Sequence, residues 1–292
     1  MLALAYRLIR DERLFGRGDL VLCACSGGAD SLALLDALAL LQRRVGHRVA
    51  AVGVDHGLRP AAAAELDLGA KLAARHGVPF ERMGLCVAAG AGLQARAREA
   101  RHLALQSAAL RLGAAAIATG HTADDRAETL LMRLLRGAGP RGLAVLPARA
   151  PAPVTAPGET TPGRRIDLVR PLLRARRSDV LAHLGRRGLG FAEDPSNADR
   201  RFLRVRVRRE LVPLLEELSP GVVAHLCALA DMLGQDPAGR PAAAALVALG
   251  RAQRLQIERQ HRLGRRGARV RLPGGRDLVV RFIFAPTPGH PA

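Results

Sequence analysis

Three stretches of this 292-residue chain carry side chains whose types and spacing suit phosphate chemistry. The first is Ser26-Gly27-Gly28-Ala29-Asp30-Ser31, set between the apolar run Val21-Leu22-Cys23-Ala24-Cys25 and a Leu/Ala stretch. It reads as strand, tight turn and helix. The glycines let backbone N–H groups converge on an anion at a helix N-terminus, and Ser26 and Ser31 add hydroxyl donors. Asp30 would repel a bare phosphate, so a carboxylate there makes sense with Mg²⁺ between the two, which points to a nucleoside triphosphate with its metal. For two glycines alone, a plain turn with Ser and Asp capping a core helix remains an equal alternative. The loop is no Walker A, since no Gly-Lys-Ser/Thr follows, and it lacks the Gly-x-Gly-x-x-Gly spacing of dinucleotide folds.

The second stretch is Gly120-His121-Thr122-Ala123-Asp124-Asp125-Arg126-Ala127-Glu128-Thr129. Thr122 or Asp124 can cap a helix there, and helical spacing puts Glu128 on the face of Asp124 and Asp125. Dipole complementarity alone also produces acidic first turns. A preceding strand, Gly113 to Gly120, instead places Asp30, Asp124 and Asp125 around one Mg²⁺ and ATP. The third stretch interleaves Arg200, Arg201, Arg204, Arg206, Arg208 and Arg209 with Phe202, Leu203, Val205 and Val207. As a helix it shows arginine over most of its circumference, which an anion nearby explains better than amphipathicity does.

Alternating apolar and helical segments must position these groups. Residues 1–19 read as an amphipathic helix and a turn, 31–44 as a helix, and 47–54 as a buried strand ending at Asp55-His56-Gly57-Leu58-Arg59-Pro60. In a doubly wound parallel sheet ligands lie at the carboxyl ends of strands, so Asp55 and His56 border the same crevice as Ser26 to Ser31, Gly120 and His121. A helix at 61–77, a strand at 79–87 and a helix at 92–112 follow, the last with Arg96, Arg98, Arg101 and Arg111 as a solvated face. Residues 148–163 read as a surface excursion and 178–188 as a helix capped by Ser178. Residues 211–233 read as helical, 234–241 as a linker, and 242–292 as a helix, a strand pair around Leu272-Pro273-Gly274-Gly275 and a tail. The fold class is α/β, a doubly wound parallel sheet with a smaller, mainly helical C-terminal region, divided as 1–210 and 211–292.

A formal net charge of +19 and a pI near 11.6 favour a polyanionic partner such as RNA. Lys71 is the only lysine, so a coding bias toward Arg and Ala shares in that charge. Cys23, Cys25, Cys86 and Cys227 form no C-x-x-C pair and no metal-ligand spacing, and read as small core residues in a reducing compartment. No stretch has the form of a secretory signal or the length and apolarity of a bilayer span, so the expected location is cytoplasmic.

The first stretch resembles the pyrophosphate loop of the N-type ATP pyrophosphatases. Within that superfamily, Val54-Asp55-His56-Gly57-Leu58-Arg59, the Ala118 to Thr129 block, Arg136-Gly137-Ala138-Gly139, Arg170-Pro171-Leu172-Leu173 and Asp194-Pro195-Ser196-Asn197 resemble, in order, the motifs of the tRNA(Ile)-lysidine synthetase family over residues 15–233. The chain departs from that family at Gln94 and His102, where Glu and Tyr are usual, and at Val205, where Arg-Asn-Arg is usual. The resemblance implies an adenine nucleotide alpha hydrolase-like PP-loop fold with a shortened tRNA-binding C-terminal region. It implies an ATP-dependent ligase that adenylates C2 of the wobble cytidine in a tRNA(Ile) with CAU anticodon, then joins free L-lysine to it.

On this reading Ser26, Gly27, Gly28, Ala29, Asp30, Ser31, Asp55, His56, Gly120 and His121 bind ATP, and Asp30, Asp124 and Asp125 hold Mg²⁺. Asp30, Asp124, Asp125, Glu128, Arg204 and Arg208 serve catalysis, and Arg200, Arg201, Arg206 and Arg209 meet RNA. Asp125 or Glu128 takes the proton of the lysine amine. The alternatives are a tRNA 2-thiocytidine synthetase, a small-molecule PP-loop ligase such as an NAD or GMP synthetase, and a non-catalytic RNA-binding protein. The oligomeric state is left open, a homodimer among the options.

Overall fold

The computed structural model describes residues 1–55, 62–85, 90, 92–152, 166–192, 199–234, 256, 259–260, 267–271 and 277–281. His56 and its neighbours to Pro60, Cys86, the Asp194-Pro195-Ser196-Asn197 turn, residues 153–163 and residues 235–241 lie outside them. The chain divides into two compact units, Met1–Gly234 and Gln235–Ala292, so residues 211–234 belong with the first.

The first unit is built on a six-stranded sheet in the order β3-β2-β1-β4-β6-β5. Its strands are β1 (Leu20–Ala24), β2 (Arg48–Asp55), β3 (Phe80–Gly84), β4 (Ala116–Ala118), β5 (Arg149–Pro151) and β6 (Asp167–Val169). All neighbours are parallel except β5, which pairs antiparallel with β6 at the edge. Of that edge pair, β5 falls where the sequence reads as a surface excursion and β6 just beyond it; three-residue strands are too short to show a period.

The helices are α1 (Leu2–Asp11), α2 (Ala29–Val45), α3 (Ala62–Arg75), α4 (Leu93–Leu112), α5 (Ala123–Leu135), α6 (Pro140–Leu143) and α7 (Arg177–Arg187). A further segment comprises α8 (Leu203–Arg206), a π-helical turn at Val207–Leu211 and α9 (Val212–Leu218), followed by α10 (Val222–Gly234). Ser178 lies inside α7. The N-cap is Arg176, whose backbone N–H donates to Asp179 Oδ2 at 2.9 Å. In the second unit β7 (Gly267–Arg271) and β8 (Asp277–Arg281) form an antiparallel pair flanking the Pro-Gly-Gly turn sequence. Among the described residues no single helix is long and apolar enough to cross a membrane.

The sheet is buried on both faces, as a parallel sheet requires. Val21 and Cys23 of β1 pack with Leu34, Leu38, Val180 and Leu184 of α2 and α7, while Leu22 packs with Leu105 and Ala108 of α4. This alternation follows the two-residue period of a strand. β1, between β2 and β4, is where the chain reverses its winding direction. The crevice beyond the ends of β1 and β4 is therefore the expected ligand site.

Asp36 lies on the packed side of α2 with no exposure. It accepts from His76 Nε2 at 2.7 Å, His183 Nε2 at 2.8 Å and Arg187 Nε at 3.1 Å, so it ties α2 to α7 and to the end of α3. Burial pushes its carboxyl up, but Arg187, His76 and His183 outweigh burial and hold it below the ordinary value of 3.8. Its stabilising contribution is complete above that value and fades as pH falls below it. Asp36→Asn should cost about 3 kcal/mol at pH 7 by leaving Arg187 without its charge partner and breaking the hydrogen bonds that hold His76 and His183. Denaturant unfolding at pH 7 and pH 3 checks this: the gap between wild type and variant should narrow at the acid pH.

Candidate active site

The loop after β1 is built to receive an anion. Gly27 has φ of +82°, and a Cβ there would collide with the Glu65 carbonyl of α3, so only glycine fits. Ser31 Oγ accepts from Ser26 N–H at 3.1 Å and donates to Gly28 O at 2.8 Å. The Ser31 hydroxyl therefore holds the loop in shape, and phosphate donation falls to the backbone. The 17-residue helix α2 begins at Ala29 with no side-chain cap, which leaves first-turn N–H groups directed at the crevice.

Gly120, after β4, packs against this loop. A Cβ on it would lie 2.7 Å from the Asp30 carbonyl oxygen. His121 follows with Nδ1 2.9 Å from Thr119 Oγ1, and burial, aided by Arg170 and Arg98, pushes its imidazole down to about 4 and keeps it neutral near pH 7. Thr122 caps α5: its hydroxyl accepts from Asp125 N–H, and its own N–H donates to Asp125 Oδ2 at 2.9 Å. That exchange fixes Asp125.

The arginine segment closes the site. Glu128, buried, accepts from Arg204 Nε at 2.9 Å and from Arg208 Nε at 2.5 Å, and Arg204 Nη2 donates to Asp125 Oδ1 at 2.8 Å. Two arginines four residues apart thus meet two carboxylates three residues apart, each pair on one helix face. Burial pushes the Asp125 carboxyl up, but the Thr122 N–H and Arg204 outweigh it and hold it below the ordinary range.

Asp124 does not face this group. It accepts from Arg176 Nε at 3.1 Å and Arg177 N–H at 2.6 Å, and Arg176 Nη1 reaches Glu216 of α9 at 2.9 Å. Packing against α7 turns Asp124 away from Asp125 and Glu128, although helical spacing alone allows all three on one arc. Asp55 ends β2, and His56 is outside the described residues. Arg200, Arg201, Arg206 and Arg209 are exposed on the outer side of the segment, Arg201 paired with Asp199 and Arg206 with Glu210.

Ser26, Asp30, Ser31, Gly120, His121, Asp125, Arg204 and Arg208 border a cavity of about 540 Å³. Its lining includes Arg98, Arg101 and His102 of α4, which sequence reasoning assigned to a solvated face or left unassigned. The missed signal is their spacing with Leu105, which places them on one stripe of the helix. Burial, then Arg98, Arg101 and Arg170, lowers the His102 imidazole, and burial pushes the neighbouring Arg170 guanidinium down to about 10. The cavity field is cationic.

Asp30 carries the observation that bears on a metal. Its Oδ1 is buried without a hydrogen-bond partner, and burial, then Asp125, pushes its carboxyl up to about 6. Among the described residues no three His, Cys, Asp or Glu side chains converge as a metal cluster. That donor set fits Mg²⁺, which is commonly held by one or two carboxylates together with substrate phosphates.

Residues 8–215 match the model of the PP-loop domain. The chain is 44% identical over 221 residues to the tRNA(Ile)-lysidine synthase of Salinispora arenicola, and 41% identical over 221 residues to that of Thermobifida fusca. Each match covers 75% of this chain, but only 63% and 64% of the respective relative, so the chain spans less than two thirds of their length. Among solved structures, the U34-tRNA thiolase NcsA from Methanococcus maripaludis shares the fold, with a TM-score of 0.64 at 17% identity over 81% of this chain and 80% of the other.

Proposed function

The chain belongs to the PP-loop family, and from that premise we propose that it joins free lysine to C2 of the wobble cytidine of a tRNA(Ile) with CAU anticodon, at the expense of ATP. The carrying observation is that one cavity is lined by Ser26, Asp30 and Ser31 of the phosphate loop and by Asp125, Arg204 and Arg208, with Asp30 Oδ1 buried without a hydrogen-bond partner and Glu128 holding the two arginines. The relatives named above support the choice of substrates.

The chemistry has two steps. The cytidine O2 attacks the α-phosphorus of ATP and pyrophosphate leaves; the lysine ε-amine then adds at C2 and AMP leaves. A ring carbonyl oxygen is a poor leaving group, and adenylation makes it a good one. Loop N–H groups from Gly27 to Asp30 receive the charge of the departing pyrophosphate. Asp30 and Asp125 would hold Mg²⁺, which would supply charge neutralisation to the phosphates. Arg204 and Arg208, already aimed at the cavity, donate to phosphate oxygens. Asp125 and Glu128 attract the lysine ammonium and take the proton that the amine must lose before it attacks. The exposed Arg200, Arg201, Arg206 and Arg209 contact the RNA backbone, outside the chemistry.

The rival reading is sulfur transfer, which the NcsA fold neighbour brings to mind. Cysteine chemistry works through the thiolate, yet among the described residues burial raises the thiols of Cys23, Cys25 and Cys227, the last to about 11. The deciding experiment incubates the protein with ATP, Mg²⁺, radiolabelled lysine and an unmodified isoleucine tRNA transcript with a CAU anticodon. The expected result is label in the RNA, matched by AMP and pyrophosphate. Pyrophosphate release without label would instead favour thiolation or a small-molecule ligase.

A further inference from the structure

Aromatic side chains make up 2% of this chain, and there is no tryptophan. Among the described residues Phe202 is the only exposed Phe or Tyr, and it lines the cavity. An apolar ring of this size left 40% accessible at the mouth of a cationic cavity calls for a flat partner. Its backbone is well fixed. Phe202 is the N-cap of α8, its carbonyl accepts from Val205 N–H at 2.9 Å and Arg206 N–H at 3.2 Å, and Val205 beside it is buried.

Two bases must enter the cavity if the reaction proposed above is correct, and the topology separates their places. The loop that takes the phosphates follows β1, the middle strand of β2-β1-β4. On the β2 side the strand residues that line the cavity are aliphatic, Val52 and Val54, and α4 adds Leu105 beside Arg98, Arg101 and His102. On the β4 side α5 follows the strand and α8 packs on α5, which brings Phe202 to the opposite wall. Adenine therefore takes the aliphatic wall. The second base meets the aromatic one, beside Arg204, which reaches the phosphates, and Arg200 and Arg201, which reach the RNA backbone. Single-stranded RNA bases splayed from a loop are characteristically bound by stacking on such a ring.

We propose that Phe202 is the stacking platform for the RNA base that is modified, a binding residue that sets this base against the α-phosphate. This rests on the RNA reading above and names a contact that that reading leaves open. A sole tryptophan makes the test direct. Phe202→Trp gives a protein with one indole, whose fluorescence should be quenched by an anticodon stem-loop RNA with CAU and left unchanged by α,β-methylene-ATP with Mg²⁺ alone. Phe202→Ala should weaken binding of that RNA about tenfold, in the range that alanine substitution costs a stacked base, while nucleotide affinity holds and Phe202→Tyr restores RNA binding. Quenching by the nucleotide alone would overturn the proposal in favour of an adenine platform. RNA bound by anisotropy without quenching would overturn it and leave the RNA reading standing. Wild-type protein that binds no RNA by anisotropy would overturn both.

Discussion

Asp30→Asn is expected to lower pyrophosphate release from ATP by about 10²- to 10³-fold, the scale on which a group aimed at developing phosphate charge acts, and to lower lysine transfer with it. The substitution keeps the shape of the side chain and removes only the charge. That charge is costly to the fold: the carboxyl is pushed up to about 6 chiefly by burial, with Asp125 adding to it. A carboxyl raised above its unfolded value of 3.8 favours the folded state while protonated, and that advantage is lost as pH rises through about 6. At pH 7.5 without metal, the variant should therefore be more stable than wild type, by on the order of 2 kcal/mol. Activity and stability are thus expected to move in opposite directions, which separates a site residue from a structural one. Thermal unfolding and a pyrophosphate assay across pH 5 to 8 would check this; a variant that loses stability, or keeps its rate, would refute it.

How much of this site was legible before the fold depends on whether local chemistry or packing decides each residue. Gly27 was legible, because a positive φ and a close backbone approach leave one residue type. The cap of α5 was legible as Thr122 or Asp124, and the exchange of Thr122 with Asp125 decides for Thr122 within one turn. Ser31 shows the limit, since its hydroxyl is the type that binds phosphate but holds the loop instead. Asp124 shows it more clearly. Helical spacing admits it to the arc of Asp125 and Glu128, and only the docking of α7, with Arg176 and the Arg177 N–H, takes it out.

The cationic wall was missed because arginine on a helix usually faces water. The spacing puts Arg98, Arg101, His102 and Leu105 on one stripe of α4, but that this stripe passes the strand ends is set by how the helix packs. Asp36 did leave a signal, a lone carboxylate inside the apolar stretch Leu32 to Leu41. Its partners, His76, His183 and Arg187, are 40 to 151 residues away in sequence, so their convergence had to await the fold.

The charge arrangement also separates the two halves of the reaction, and Glu128 is where they part. Both of its oxygens are engaged by Arg204 and Arg208, so the acid that is to meet an amine and the arginines that are to meet phosphate neutralise one another. Phosphate must draw the arginines before the carboxylate is free to take a cation. Glu128→Gln removes that competition. Its amide oxygen still accepts a hydrogen bond, the arginines keep their charge, and the phosphates contend for them with one carboxylate, Asp125, instead of two. Affinity for α,β-methylene-ATP with Mg²⁺ should rise by about 3- to 10-fold, the worth of one charge-assisted hydrogen bond net of solvent. Lysine transfer should fall by about 10²- to 10⁴-fold, the usual contribution of a positioned base. Adenylated RNA should then accumulate, seen as a burst of pyrophosphate without lysine in the product. Isothermal titration and rapid quench would measure the two effects separately. If nucleotide binding weakens in Glu128→Gln, the carboxylate serves the arginines as a support and not as a competitor. If lysine transfer is undiminished, the proton goes to Asp125 alone.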